Sequence, residues 1–166
     1  MKEILAAAAR EHGTPCFVYF LDDIRARADR LEPEFERRFR LSYAVKSNPN
    51  PELLQRLRRF IGLLDVSSGG ELKRALELGF APEQITFTGP GKRDQELEEA
   101  VSSRIGGIII ESLNEAKRLS AIASRRGVRQ DVLVRIAPRR LPRGFGVNMA
   151  GKPTQFGIDE EDVDSD

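Results

Sequence analysis

Residues 41–51 read LSYAVKSNPNP, a run of apolar and small residues that ends in Lys46 and leads into a helix start. Before the lysine the run carries no charge, which is typical of a parallel strand covered on both faces. Asn50 followed by Pro51 predicts a helix cap and a first-turn proline, which is tolerated there because its missing N–H would have no partner. A strand that leads directly into a helix is the repeating unit of parallel α/β folds.

The same unit recurs along the chain. Short apolar, β-branched runs predict further strands, and the longer segments between them have the period of helices. The predicted strands are residues 41–45, 63–66, 85–88, 107–110 and 132–136, and the predicted helices are residues 51–60, 71–78, 94–101 and 113–126. Residues 16–21 are strand-like too, and they precede a helix that Asp22 or Asp23 could cap.

Two helix starts are marked by paired residues. Ser68 with Glu71, and Ser112 with Glu115, fit the capping box, in which a serine and a glutamate each satisfy a backbone N–H. These signals predict helices that begin directly after the second and fourth strands.

Five strand–helix units of about 20 to 25 residues predict an α/β fold, either an open doubly wound sheet or a (β/α)8 barrel. A complete barrel needs roughly 250 residues, so about three of its strands would lie outside this chain. After Pro138 the sequence is rich in proline, glycine and arginine, which predicts a loop over residues 139–153. The acidic residues 159–166 predict a solvated or frayed tail.

Composition and charge exclude several classes of function. Lys and Arg total 27 against 26 Asp and Glu, so no nucleic-acid-binding surface is predicted. A single cysteine, Cys16, excludes an intramolecular disulfide and fits a reducing compartment. No signal peptide or membrane span is recognisable, and His12 has no ligand-like neighbours. We therefore predict a cytoplasmic protein without a metal site.

Three charged residues lie in or directly after predicted strands, near the strand ends where parallel α/β folds collect functional groups. Lys46 is a candidate Schiff-base amine. Asp65 and Arg135 lie within apolar strands, which predicts that each is paired or hydrogen-bonded. Together the three predict a shared polar centre at the barrel mouth. Simpler interpretations stay open, namely a lysine that extends to solvent, an aspartate that caps a strand end, and a structural salt-bridge network.

Two glycine-containing loops, residues 67–70 and 89–92, superficially resemble phosphate-binding loops, because glycines allow a close backbone approach and a helix start follows. Neither loop matches the P-loop or the dinucleotide-binding fingerprint. A turn followed by a helix cap is the better interpretation of both.

Four motifs between about Thr14 and Ile158 follow the order of one known family. They are YAVKSNPN at residues 43–50, DVSSGGEL at 65–72, FTGPGK at 87–92 and VRI at 134–136. In these motifs the chain resembles the fold-type III pyridoxal-phosphate decarboxylases, the family of diaminopimelate, ornithine and arginine decarboxylases. Residues 148–158 resemble a diaminopimelate-like branch that includes decarboxylases of carrier-bound or secondary-metabolite substrates.

The resemblance implies a partial (β/α)8 TIM barrel of the alanine racemase type that binds pyridoxal 5'-phosphate. It implies that Lys46 holds the cofactor as a Schiff base and that Asp65 and Arg135 lie near the cofactor ring. It also implies that Ala44 lines the pocket. The substrate would be an amino acid, and the full-length enzyme would be a homodimer.

By the same resemblance, residues 22–158 form the barrel portion, and residues 1–21 carry a strand that joins a separate β-domain in the full enzyme. Family members are far longer and supply a ring-stacking histidine, a glycine-rich phosphate loop, a glutamate facing the pyridine nitrogen and a cysteine from the partner subunit. This sequence lacks these features, so we predict little or no turnover by the chain alone.

Two other functions stay open. A racemase-type barrel would share the cofactor, although the DVSSGGEL motif favours a decarboxylase. A truncated, non-catalytic homologue would bind a partner through the exposed edge of a half-barrel, where unpaired strands and apolar residues need cover.

Overall fold

The computed structural model describes residues 1–34, 38–140, 151 and 154–163. Over these ranges no helix is both long and apolar enough to cross a membrane. The chain divides into two compact units, Met1–Phe39 and Arg40–Asp166. The boundary that we predicted after residue 21 concerns the full-length enzyme and stays a prediction.

The first unit contains two helices, α1 (Lys2–His12) and α2 (Leu21–Glu34). Four alanines at residues 6–9 favour α1, because alanine has the highest helix propensity. The strand predicted at residues 16–21 does not form: residues 16–20 have no regular secondary structure, and Phe17 is 90% exposed. A strand needs a hydrogen-bonded neighbour, and the described residues of this unit provide none.

The second unit is built on a parallel sheet. Its described residues form five strands, each hydrogen-bonded to the next one along the chain. The strands are β1 (Ser42–Ala44), β2 (Leu63–Val66), β3 (Ile85–Phe87), β4 (Gly107–Ile110) and β5 (Val132–Val134), and between them lie α3 (Pro51–Leu57), α4 (Gly69–Glu77), α5 (Asp94–Ser103) and α6 (Leu113–Arg126). A doubly wound sheet reverses its strand order and this sheet does not, so the predicted partial (β/α)8 barrel is confirmed.

Predicted helix starts are found where the sequence placed them. Asn50 Oδ1 accepts hydrogen bonds from Glu52 N (3.0 Å) and Leu53 N (3.2 Å) at the start of α3. Ser68 Oγ accepts one from Glu71 N (3.2 Å) at the start of α4. Each cap satisfies a backbone N–H that has no partner inside the helix.

One face of the sheet packs against the helices and forms the core. Along β2 and β3, Leu64, Val66, Ile85 and Phe87 are buried, whereas the residues between them are only partly buried. Helical side chains that complete the core include Leu54, Leu72, Ala75, Leu97, Ala100, Leu119 and Ile122. Successive side chains point to opposite faces, so the second face of these two strands is only partly covered in the described residues, whereas we predicted cover on both faces.

The fifth strand is the least covered of the sheet. Residues of β5 are between 48% and 53% exposed. The single strand predicted at residues 132–136 is interrupted at Arg135, after which β6 (Ile136–Ala137) pairs in parallel with β7 (Ile158–Asp159).

The tail that we predicted to be solvated or frayed, residues 159–166, is exposed but folded at its start. Asp159 belongs to β7, and Glu160–Val163 form the short helix α7. Arg139 N also donates to Glu160 Oε2 (3.0 Å). These partners cannot be read from acidic composition. Residues 164–166 and most of the predicted loop 139–153 lie outside the described residues.

Candidate active site at the carboxyl ends of the strands

Lys46 lies just beyond β1. The strand ends at Ala44, a 3₁₀ turn covers Val45–Ser47, and Asn48 N donates to Val45 O (3.1 Å). Val45 is fully buried, whereas Lys46 is exposed. We predicted a lysine at the buried end of the strand, but the strand stops two residues earlier and the burial cost does not arise. No described residue forms a hydrogen bond or ion pair with its ammonium, so the amine is accessible.

The backbone after Lys46 is held from two sides. Tyr43 on β1 donates its hydroxyl to Asn48 O (3.2 Å). Arg74 on α4 donates from Nη1 to Pro49 O (3.2 Å). These bonds fix the turn that carries Lys46, while its side chain stays exposed.

Asp65 lies in the middle of β2, with Ala44 on β1 and Thr86 on β3 as its register partners. Its Oδ1 accepts hydrogen bonds from Thr86 Oγ1 (2.9 Å) and Thr88 Oγ1 (2.5 Å). The prediction that Asp65 is hydrogen-bonded is confirmed, but its partners are hydroxyl groups of the neighbouring strand segment. A cation is not among its described partners.

Arg135, between β5 and β6, pairs with a residue to which we had assigned no role. Its Nη1 lies 3.3 Å from each carboxylate oxygen of Glu111, which directly follows β4. Gly157 N also donates to Glu111 Oε2 (3.0 Å), and the ring of Phe156 lies 4.9 Å from the guanidinium carbon. A glutamate directly after the buried run 107–110 was the available signal, because a carboxylate there requires a partner.

The three predicted charges are near the same edge of the sheet, but they do not form one contact network among the described residues. Asp65 and Arg135 are half-buried and Lys46 is exposed. Asp65 bonds to threonines, and Arg135 bonds to Glu111. The predicted polar centre therefore consists, in the described residues, of separate local pairs.

The loop at residues 89–92 directs its lysine inward. Lys92 Nζ donates to Gly89 O (2.7 Å), Ile109 O (2.6 Å) and Glu115 Oε1 (2.8 Å). An ammonium group has three donors, and all three are used. Lys92 is therefore not available to bind phosphate, which supports the interpretation of this loop as a turn.

Two backbone amides of the loop at residues 67–70 likewise donate to carboxylates of the protein itself. Gly69 N donates to Glu96 Oε1 (2.8 Å), and Ser67 N donates to Glu71 Oε2 (2.8 Å). Burial raises the pKa of Glu96, but hydrogen bonds from the backbone of Arg93 and Gly69 and the Arg93 side chain outweigh it, so the pKa lies below its ordinary value. Two carboxylates thus occupy the start of α4, where a phosphate would otherwise bind.

Parallel strands with polar side chains near their carboxyl edge are typical of barrel enzymes that bind a ligand at the strand ends. Within that class, the family model described as pyridoxal-dependent decarboxylase, pyridoxal binding domain, matches residues 21–165. The chain belongs to this family, which confirms the resemblance seen in the sequence. The family implies pyridoxal 5'-phosphate as the cofactor.

Curated relatives of the chain are decarboxylases. Diaminopimelate decarboxylase of Mycobacterium tuberculosis is 40% identical over 132 residues, which are 80% of this chain and 30% of that protein. Diaminopimelate decarboxylase of Zymomonas mobilis is 35% identical over 164 residues, 96% of this chain and 39% of that protein. L-glutamyl-(BtrI acyl-carrier protein) decarboxylase of Niallia circulans is 34% identical over 161 residues, which are 97% of this chain and 38% of that protein. The chain spans 30% to 39% of the length of these relatives.

Solved structures share the fold. Diaminopimelate decarboxylase of M. jannaschii in complex with L-lysine has a TM-score of 0.80 at 27% identity, over 95% of this chain and 38% of that chain. The Helicobacter pylori enzyme complexed with L-lysine has a TM-score of 0.75 at 27% identity, over 98% of this chain and 41% of that chain. Both matches align the present sheet with part of a longer enzyme.

Proposed function

We propose that this chain is the cofactor-binding part of an amino-acid decarboxylase, and that Lys46 holds pyridoxal 5'-phosphate through its amine. The observation that carries the proposal is an exposed amine on a fixed turn at the carboxyl end of β1. A carbonyl group condenses only with an accessible amine. Among the described residues near these strand ends the other lysine is Lys92, and all three of its donors are engaged inside the protein.

The described side chains fit the aldehyde and ring end of the cofactor. Lys46 offers an amine, Asp65 offers a carboxylate whose Oδ2 has no described partner, and Arg135 offers guanidinium donors. Ala44, the register neighbour of Asp65, has a small side chain. In the two glycine loops, Ser67 N, Gly69 N and Lys92 Nζ donate to groups inside the protein, so the described residues fit the phosphate end less well.

When bound, pyridoxal phosphate takes up the electron pair left as carbon dioxide departs from the substrate. The chain's own residues bind and orient the reactants. Lys46 fixes the position of the cofactor aldehyde. Thr86 and Thr88 hold the carboxylate of Asp65. Its negative charge would favour the protonated form of a cofactor nitrogen bound close to it.

For the whole protein we propose decarboxylation of a free or carrier-bound amino acid by a homodimer in the cytoplasm. The names of the relatives support the reaction, and a lone cysteine, Cys16, suits a reducing compartment. In the full-length protein, we propose that residues 1–21 join a separate β-domain. Because the chain spans 30% to 39% of these relatives, we expect little or no turnover by the chain alone.

Fixation of the cofactor by borohydride tests the lysine assignment. The chain is mixed with pyridoxal phosphate, reduced and digested with trypsin. Modification of Lys46 blocks cleavage after it, so peptides 41–46 and 47–56 are replaced by one labelled peptide, 41–56. Lys73→Ala, which removes an exposed lysine on α4, is the matched control and should give the same labelled peptide.

Lys46→Ala should lose this labelled peptide and the visible absorbance of the bound cofactor. Labelling that is spread evenly over the exposed lysines of the unaltered chain would contradict the proposal.

A non-catalytic, partner-binding role is the second candidate, and the exposure of β5 favours it. Cofactor-independent binding of a partner by the Lys46→Ala chain supports this role. Carbon dioxide release by the whole protein, without inversion of the amino acid, supports the decarboxylase.

A further inference from the structure

Glu111 joins three separate segments near the candidate site. Its side chain is 1% exposed, although a carboxylate is costly to bury. Its oxygens accept from Arg135, between β5 and β6, and from Gly157, directly before β7. Its own backbone is fixed as well, since Glu111 N donates to Glu115 Oε2 (2.8 Å), the carboxylate that pairs with Lys92.

Lys92 and Arg135, the two cations paired with these carboxylates, differ in how many N–H donors remain for a ligand. Lys92 is buried and uses every donor inside the protein. The Arg135 side chain is 29% exposed, and a guanidinium has five N–H donors. Among the described residues only those on Nη1 are engaged, while Phe156 lies against the guanidinium. Arg135 is thus fixed in place, but several of its N–H donors have no partner among the described residues.

We propose that Glu111 is a positioning residue, which holds Arg135 so that its remaining N–H groups meet an anionic oxygen of the cofactor. The inference rests on the proposed function and deepens it. A guanidinium binds oxyanions through paired, directional hydrogen bonds, so its value depends on orientation. A free arginine side chain would lose more conformational entropy on binding than one already held by a carboxylate and a ring.

Chemical protection of Arg135 tests the proposal without relying on turnover. Phenylglyoxal modification of Arg135 is followed by peptide mass, with and without pyridoxal phosphate. We expect the cofactor to slow modification about tenfold in the unaltered chain and less than about twofold in Glu111→Gln. Glu98→Gln is the control, because Glu98 pairs with Arg125 on the outer helices and should keep the protection.

Two simpler ligands identify the oxygen that Arg135 contacts. If inorganic phosphate alone protects Arg135, the arginine binds the phosphate oxygens of the cofactor. If pyridoxal alone protects it, the arginine binds the ring oxygen. Either result supports the proposal. Equal protection in Glu111→Gln and the unaltered chain overturns it.

A double-mutant cycle on cofactor affinity separates positioning from a merely structural role. Glu111→Gln should weaken pyridoxal phosphate binding about tenfold, but less than about twofold when Arg135→Gln is already present. Independent effects in the two backgrounds overturn the proposal. If Glu111→Gln does not fold, Glu111→Asp, which keeps the charge but draws the carboxylate away from Arg135, replaces it in both measurements.

Labelling of Lys46 tells the two proposals apart. If Lys46 is labelled in every variant but Arg135 is never protected, the positioning role fails and the proposed function stands. If the unaltered chain shows neither labelling nor protection, both fail.

Discussion

Lys92 and Glu115 form an ion pair in which Nζ lies 2.8 Å from Oε1, with only 1% and 2% of the two side chains exposed. The pair ties the loop after β3 to the first turn of α6. Such a pair is weak evidence for net stability, but breaking one half of it leaves a buried charge without compensation.

We expect Lys92→Met to lower the free energy of unfolding by about 3–5 kcal/mol, because Glu115 would then be a buried, unpaired carboxylate. Urea unfolding followed by circular dichroism measures the change. Lys117→Met, at an exposed position on α6, should have little effect. Lys92→Met combined with Glu115→Leu should be less destabilising than Lys92→Met alone; a larger loss in the double variant would contradict this account.

Acid should weaken the contact between α4 and α5 at Glu96. The pKa of Glu96 is lower in the folded chain than its ordinary value of 4.5. The Glu96 carboxylate therefore contributes its full stabilisation above the pKa that it has in the unfolded chain. This contribution is lost as the pH falls through the pKa that it has in the folded chain. Glu96→Gln should lower stability at neutral pH and flatten the pH dependence below about pH 5, with the two curves converging in acid. Parallel curves from neutral pH to about pH 3 would refute it.

Gly106 should tolerate no side chain, although it is exposed. A Cβ built there would clash with the backbone carbonyl oxygen of Glu83, and the backbone cannot move aside without a substantial energetic cost. We expect Gly106→Ala to lower the free energy of unfolding by about 2 kcal/mol, the usual range for overpacking. Gly62→Ala meets no atom within 4 Å and is the matched control. Similar thermal midpoints for both variants would show that the loop at residue 83 adapts.

Asp65→Asn should reduce cofactor capture more than it reduces stability. The amide keeps an oxygen that can accept from Thr86 and Thr88, but it removes the negative charge from β2. We expect the yield of borohydride-fixed cofactor on Lys46 to fall by about threefold or more, since a carboxylate favours a protonated nitrogen nearby. Thr88→Val serves as the comparison, because it removes a hydrogen bond but keeps the charge. An unchanged yield in Asp65→Asn would remove the role assigned to Asp65.

Local signals in the sequence were sufficient for most of the second unit. The bounds of β2, β4 and α6 agree with the predicted ranges, because each is a short, mostly apolar run or a helix marked at its start. The strand predicted at residues 16–21 failed because strand formation depends on a neighbour that no local pattern reveals.

Pairings across strands could not be read in the same way. The partner of Arg135 is Glu111, 24 residues earlier, and the partner of Lys92 is Glu115, 23 residues later. Several acidic residues lie at comparable separations, and only the register of the sheet selects between them. The site residues could therefore be named from the sequence, but their contacts could not.

The bond from Gly69 N to the carboxylate of Glu96 links one strand–helix unit to the next one along the chain. A piece of the protein cut between α4 and α5 would therefore leave α4 with a bare amide at its start. The shortest fragment in which the turn after β2 can keep its native form extends beyond residue 96, and deletion series or split-protein designs should place their breakpoints accordingly.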